Sequence, residues 1–206
     1  MSGSIVGFQP DPAGSVADGA PRIVPGRACG SCTLCCKVVG VDEIAKPIGV
    51  WCPHCDRARG CTIYHDRPAG CRRFYCQWML ADGLGPEWKP ERAKFALFKA
   101  ADGHHVTAFV DPGYPSAWRR APYYENLKHW AGLGVPDLSR MNLIDVMIGQ
   151  RCIVILPDRD VELGSLGADD VIQLACKPVE TGHMIEVHKV KRAPQTQLPP
   201  ALETPT

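Results

Sequence analysis

Apolar and polar positions alternate regularly in one half of this chain and lose all period in the other. From about residue 94 onward the spacing predicts ordinary elements. Residues 94–99 (KFALFK) and 105–111 (HVTAFVD) are two strand-like runs separated by Ala101, Asp102 and Gly103. They predict a hairpin, because Asp-Gly supplies the positive φ angles that tight hairpin turns need. Over 116–131, Tyr123 or Tyr124, Leu127 and Trp130 or Ala131 recur at helical spacing, with Gly132 and Gly134 as the stop. Leu143, Val146 and Met147 share a helical face and predict a second helix over 139–149. Strands are expected at 152–156 and 185–190, and a short helix near 168–176.

Between residues 27 and 80 Cys, Gly and Pro punctuate the sequence, leaving a strand at 37–41 and a helical turn at 42–48 as the only elements the pattern supports. So few apolar side chains cannot hold a segment of this length together without cross-links, and bound metal would supply them. Residues 1–26 and 193–206 are rich in Gly, Pro, Ala and Ser or Thr and read as a mobile N-terminal segment and a disordered tail. The expected fold is therefore α+β. A Cys-rich, metal-stapled region (27–80) packs on a small antiparallel sheet with two or three helices (81–192). No internal repeat is visible.

Length and composition admit a packed core: 206 residues, 45% of them hydrophobic. Lys and Arg number 23 against 22 Asp and Glu, so no net field draws the chain to nucleic acid, and no such partner is expected. The longest apolar runs, such as 152–157, are far too short to span a bilayer, and no lipidation box ends the chain. Neither a basic n-region nor an apolar run of signal-peptide length opens it. A cytoplasmic protein without a membrane partner is expected; a protein partner is left open.

That reducing setting bears on the strongest feature of the sequence. Nine of the eleven cysteines, Cys29, Cys32, Cys35, Cys36, Cys52, Cys55, Cys61, Cys71 and Cys76, fall within 48 residues. In the cytoplasm such a crowd favours metal–thiolate coordination over disulfides. Two-residue gaps, as in Cys29-Gly-Ser-Cys32-Thr-Leu-Cys35 and Cys52-Pro-His-Cys55, let both sulfurs reach one ion from a tight turn. Neighbouring residues rarely ligate one ion, so Cys35 and Cys36 serve different ions, or one ligates while the other packs. Zinc and a four-iron cluster each take four ligands, so nine thiols fill two sites with one left over, and one or two centres of either kind are expected. Sulfur ligation suits both and leaves zinc versus iron–sulfur open. The window holds seven basic and four acidic residues; Arg67, Arg72 and Arg73, which bracket Cys71, are the candidate donors to the thiolates.

The run Cys29-Gly-Ser-Cys32-Thr-Leu-Cys35-Cys36, followed by Cys52-Pro53, Gly60-Cys61-Thr62-Ile63-Tyr64, Arg67-Pro68 and Cys71-Arg72 with Phe74, resembles the bacterial cysteine-cluster family marked by CxxCxxCC and described as a zinc- or iron-chelating domain. The resemblance covers about a quarter of the chain. It implies metal binding through Cys29, Cys32, Cys35, Cys36, Cys52, Cys61 and Cys71; Cys55 and Cys76 stand outside the family pattern. Relatives include iron–sulfur oxidoreductases and proteins that resemble flagellin lysine methylases, so either activity is an alternative to metal binding alone. The chain has no glycine-rich strand–loop–helix to cradle a nucleotide or S-adenosylmethionine, which weakens the methylase reading.

Other residues read more plainly. His54 and His65 could replace a thiol but are expected at the surface or behind the ligands. His104 and His105 fall at a turn, and His183 and His188 point to opposite faces of a strand. Cys152 and Cys176 read as buried structural thiols. Trp51, Tyr64, Phe74, Tyr75 and Trp78 are expected to cover the metal, and no GxSxG-like context supports hydrolysis.

Overall fold

The computed structural model describes residues 22–101, 103–135 and 137–192; residues 1–21 and 193–206, within the segments expected to be mobile, lie outside it. The cysteine region contains α1 (Leu34–Val38), a 3-10 turn (Asp42–Ile44), a two-strand ribbon β1 (Cys55–Asp56) and β2 (Gly60–Cys61), α2 (Ala69–Arg73) and α3 (Gln77–Leu80). After α4 (Pro90–Ala93) come β3 (Phe95–Lys99), β4 (His105–Val110), α5 (Tyr123–Gly132), β5 (Leu143–Ile148), β6 (Arg151–Ile155), β7 (Asp160–Ser165), β8 (Asp170–Val179) and β9 (Gly182–Lys191).

Helices and sheets coexist as the α+β pattern predicts, but the main sheet differs from the small antiparallel one expected. Five strands lie in the order β3-β4-β5-β6-β7, and β4 pairs with β5 in parallel. A parallel step needs a crossover connection, which the stretch carrying α5 provides. Strands β8 and β9 form a separate antiparallel ribbon.

Side-chain alternation along the strands builds two cores. On one face Phe95, Leu97, Val106, Ala108, Ile144, Val146, Ile153 and Ile155 pack against Trp88, Trp118, Tyr123, Leu127 and Trp130. The other face is shared. Over β3 and β4, Leu34 and Val38 of α1 rest on Ala96 and Phe109, with Phe74, Cys32 and Cys76 alongside. Over β6 and β7, Ile172, Leu174, Ile185 and Val187 of the ribbon cover Cys152, Val154, Val161 and Leu163. Between the two, buried Asp145 of β5 accepts Thr107 Oγ1 at 2.9 Å and meets His105 Nε2 at 2.5 Å. His105 opens strand β4, as the run 105–111 predicts, and is not part of the turn where it was also expected.

Four predicted elements need correction. The helix over 139–149 is strand β5: Leu143, Asp145 and Met147 face one way and Ile144, Val146 and Ile148 the other. A strand covered on both faces reads as a continuous apolar run, in which a helical stripe can be found by chance. Residues 168–176 likewise enter strand β8. Of the strand expected at 37–41, Lys37 and Val38 end helix α1 and only Val41 makes a bridge, to Lys46. The helix over 116–131 is broken before Pro122, leaving a 3-10 turn (Ala117–Arg119) and then α5. A residue before proline is driven out of the helical region, and proline itself opens a helix readily. Among the described residues no helix is long and apolar enough to cross a membrane.

Candidate metal centre

The cysteine region is shaped by turns that bring distant thiols to one place. The Cys32 amide donates to the Cys29 carbonyl at 2.9 Å, closing the first CxxC turn, and the Cys55 amide donates to Cys52 at 3.1 Å, closing the second. The Cys52 amide donates to the Cys36 carbonyl at 2.8 Å, which joins the two turns. Cys55 and Cys61 are direct partners across the β1–β2 ribbon. Its loop is held by Asp56, whose carboxylate accepts the Ala58 and Arg59 amides, and Gly60 has φ +102°, open only to glycine without strain. The Gly70 amide at the start of α2 donates to Glu43 at 2.7 Å, setting Cys71 against the 3-10 turn.

Arg27 fastens the start of the region to its end, at α3 and the loop beyond. Its guanidinium donates to the carbonyls of Trp78, Ala81, Asp82 and Leu84 and lies 5.1 Å from the Trp78 ring centre. Lys37 pairs with Asp111 at the end of β4, at 2.5 Å. These contacts fix the thiols relative to the sheet as well as to one another.

Eight of the nine predicted cysteines line a single cavity of about 490 Å³; Cys55 is the exception and shares a side-chain hydrogen bond with Cys36. The thiols fall into two groups by their mutual influence. Cys76 acts with Cys29 and Cys32, and Cys55 and Cys71 each act with Cys36, Cys52 and Cys61. Cys35 sits beside Cys36, which bonds to it, and Cys36 also faces Cys29 across the two groups. No disulfide joins any of the eleven cysteines. Among the described residues no group of three or more Cys, His, Asp or Glu side chains is disposed to hold a metal ion as they stand.

Burial raises the affinity of several of these thiols for protons. It is the main cause at Cys29, Cys32 and Cys71, at Cys76, which is pushed up to about 11, and at Cys55, pushed up to about 12. At Cys36 the hydrogen bond to Cys35 comes first and burial second. A nucleophilic or redox-sensing thiol is the opposite, exposed and with a lowered pKa. These groups are neutral near pH 7, and only a strong local positive charge, such as a bound metal supplies, would ionise them together.

The other predicted neighbours sort unevenly. Tyr64, Phe74, Tyr75 and Trp78 line the cavity, whereas Trp51 stands apart and takes the Arg57 guanidinium at 4.8 Å. Arg67 reaches the wall but stacks on Tyr64 at 3.8 Å; Arg72 is exposed, and the side chain of Arg73 lies outside the described residues. His54 and His65 do not line the cavity. Cys152 is fully buried in the sheet, while Cys176 is only half-buried on the ribbon. Sequence reasoning gave Lys46 no role in the site. It is buried on the cavity wall, and burial lowers its pKa while the sulfurs of Cys52, Cys36, Cys35 and Cys71 pull it upward. A lone Lys before a Pro carries no signal of this.

Comparison of the chain with family models, with curated proteins and with solved structures yields no match.

Proposed function

We propose that the chain is a metal-binding protein whose cysteine region holds a thiolate-ligated centre, and that this centre is an iron–sulfur cluster. The observation that carries the reading is eight thiols on the wall of one cavity of about 490 Å³. That volume lies in the range of small-molecule and cofactor sites, roughly 300–1,000 Å³. A tetrahedral zinc site draws four sulfurs to about 2.3 Å from one point and leaves no such space. Thiols spread around a cavity fit a polynuclear group, which is ligated from its periphery.

The two groups of thiols supply the ligands. Four of the eight would hold a cluster, drawn from Cys29, Cys32 and Cys76 in one group and Cys35, Cys36, Cys52, Cys61 and Cys71 in the other. Cys76 thereby gains a role that the family resemblance leaves open. Tyr64, Phe74, Tyr75 and Trp78 keep water from the cavity, and Arg67 and Lys89 stand near Cys29 to offset negative charge. A cluster bound here would supply one-electron transfer. An oxidoreductase or electron-transfer role follows from that chemistry; a methylase-like role has no cradle for its cofactor among the elements described.

Anaerobic purification followed by visible absorbance and elemental analysis tests the reading. A brown protein with iron and acid-labile sulfide in matching amounts is expected. A colourless protein with one or two zinc ions would overturn the cluster while keeping a metal centre, and a protein that takes up neither would overturn both.

A further inference from the structure

Lys46 is a buried cation whose bonding partners are all neutral. Only 4% of its surface is exposed. Its ammonium donates to the carbonyls of Lys37 at 3.1 Å, Pro47 at 3.2 Å and Val39. Among the described residues no carboxylate forms an ion pair with it, whereas Lys89 on the same wall pairs with Glu91 at 2.7 Å. An ammonium taken out of water costs several kcal/mol unless an opposite charge meets it. Carbonyl dipoles offset part of that cost and leave the net charge in place.

The backbone holds this cation where it is. Val41 and Lys46 exchange both amide–carbonyl hydrogen bonds at 2.9 Å. The turn between them closes through Ala45 at φ +48°, a left-handed conformation unfavourable for a residue with a Cβ. Pro47 then fixes the chain beyond. This doubly bonded loop sets Lys46 on the wall of the same cavity that Cys35, Cys36, Cys52 and Cys71 line.

We infer that Lys46 is the built-in counter-cation of the thiolate centre, a positioning residue whose charge is balanced only when the surrounding sulfurs are ionised on metal. The inference rests on the metal-centre reading above. With neutral thiols the fold keeps an uncompensated positive charge beside the cavity; with metal-bound thiolates the same charge offsets their excess negative charge. Lys46 therefore favours the loaded state of the protein over the empty one.

The test compares the full-length chain with K46M, which keeps length and apolar contact but removes charge, and K46R, which keeps charge. Each is loaded anaerobically with iron and sulfide, or with zinc if the wild type takes zinc, and titrated with a competing chelator. Hydrogen exchange of β3–β6 amides reports whether the sheet is intact. K46M is expected to bind about ten- to a hundredfold more weakly, the scale on which supporting groups act at metal sites, and K46R is expected to stay close to the wild type. For a redox-active centre, the midpoint potential of K46M should also fall, because the reduced state is the more negative one, while that of K46R should hold. Equal affinity of K46M and wild type would overturn the inference. So would equal weakening of K46M and K46R, the result for a residue that only fills space and bonds carbonyls. A wild-type chain that takes up neither iron nor zinc overturns the parent reading, and this inference with it.

Discussion

Between Phe95 and Ile155 the sheet buries one apolar side chain after another, and Trp118, Leu127 and Trp130 close over it almost without exposure. Between residues 27 and 80 the buried apolar side chains are Leu34, Val38, Val41 and Met79, and the first two of these serve to dock α1 on the sheet. The sheet is held by burial of apolar surface at about 25 cal/mol per Å². The cysteine region has turns, a short ribbon and side-chain clamps, and its centre is a cavity. Regular alternation gives a chain its own core, whereas a segment of turns must import one.

The sharpest way to break this contrast is to withdraw the metal proposed for the cavity. Chelation under reducing conditions is expected to abolish hydrogen-exchange protection across residues 34–79 while β3–β6 keep theirs, because ligand binding contributes directly to folding in such sites. Equal loss in both regions would mean that the two form one cooperative unit. Next in size is Trp130→Ala, which should cost about 3–5 kcal/mol of global stability by emptying the aromatic layer, read as a fall in the urea midpoint. Metal content per folded molecule should not change.

Cys36→Ser, Cys61→Ser and Cys71→Ser should do the reverse. Each is expected to lower bound metal measurably by elemental analysis and to destabilise the cysteine region, while leaving the β3–β6 protection as it is. Unchanged metal in all three would refute the ligand set.

A smaller effect is carried by Cys152, which burial first and then Asp145 and Glu162 push up to about 12. Its folded pKa exceeds its unfolded value near 9, so its contribution is whole below pH 9 and is lost as the pH rises toward 12. Relative to Cys152→Ala, the wild type should lose up to about 1.4 kcal/mol per pH unit over that window. A constant difference between the two would show that Cys152 ionises in the fold as freely as outside it. Smallest of all, Arg151→Ala should leave the melting temperature within error, because its bond to Glu162 lies at the exposed rim of the sheet.

The sequence reading succeeded where local chemistry decides the outcome. Asp-Gly announced the β3–β4 hairpin, and the spacing of Tyr123, Leu127 and Trp130 named the buried face of α5. It failed where the environment decides. Strand β5 is covered on both faces, so its apolar run concealed the alternation that would have marked it, although Gly149 at φ +61° sits in the tight turn to β6 and could have signalled a hairpin. The parallel pairing of β4 with β5 is a matter of topology that no local window contains. In the site, the window of cysteines was legible from their count and spacing, and eight of them do line one cavity. Their division into two groups was not, because Cys76 lies more than 40 residues from Cys29 and Cys32 in sequence and joins them only through the fold. Lys46 was invisible, since burial of a lysine is imposed by the loop around it.

The docking of α1 on Ala96 and Phe109 has a consequence for synthesis. All nine cysteines precede β3 in the chain, and the sheet that braces their cavity requires residues as far on as Ile155. Translation runs from the N-terminus at roughly 5–20 residues per second, so the thiols leave the ribosome on the order of ten seconds before their support exists. During that interval they are unbraced and open to oxidants or to any soft metal at hand. If the proposed centre is loaded, the order of segments makes its assembly a question of timing as much as of affinity.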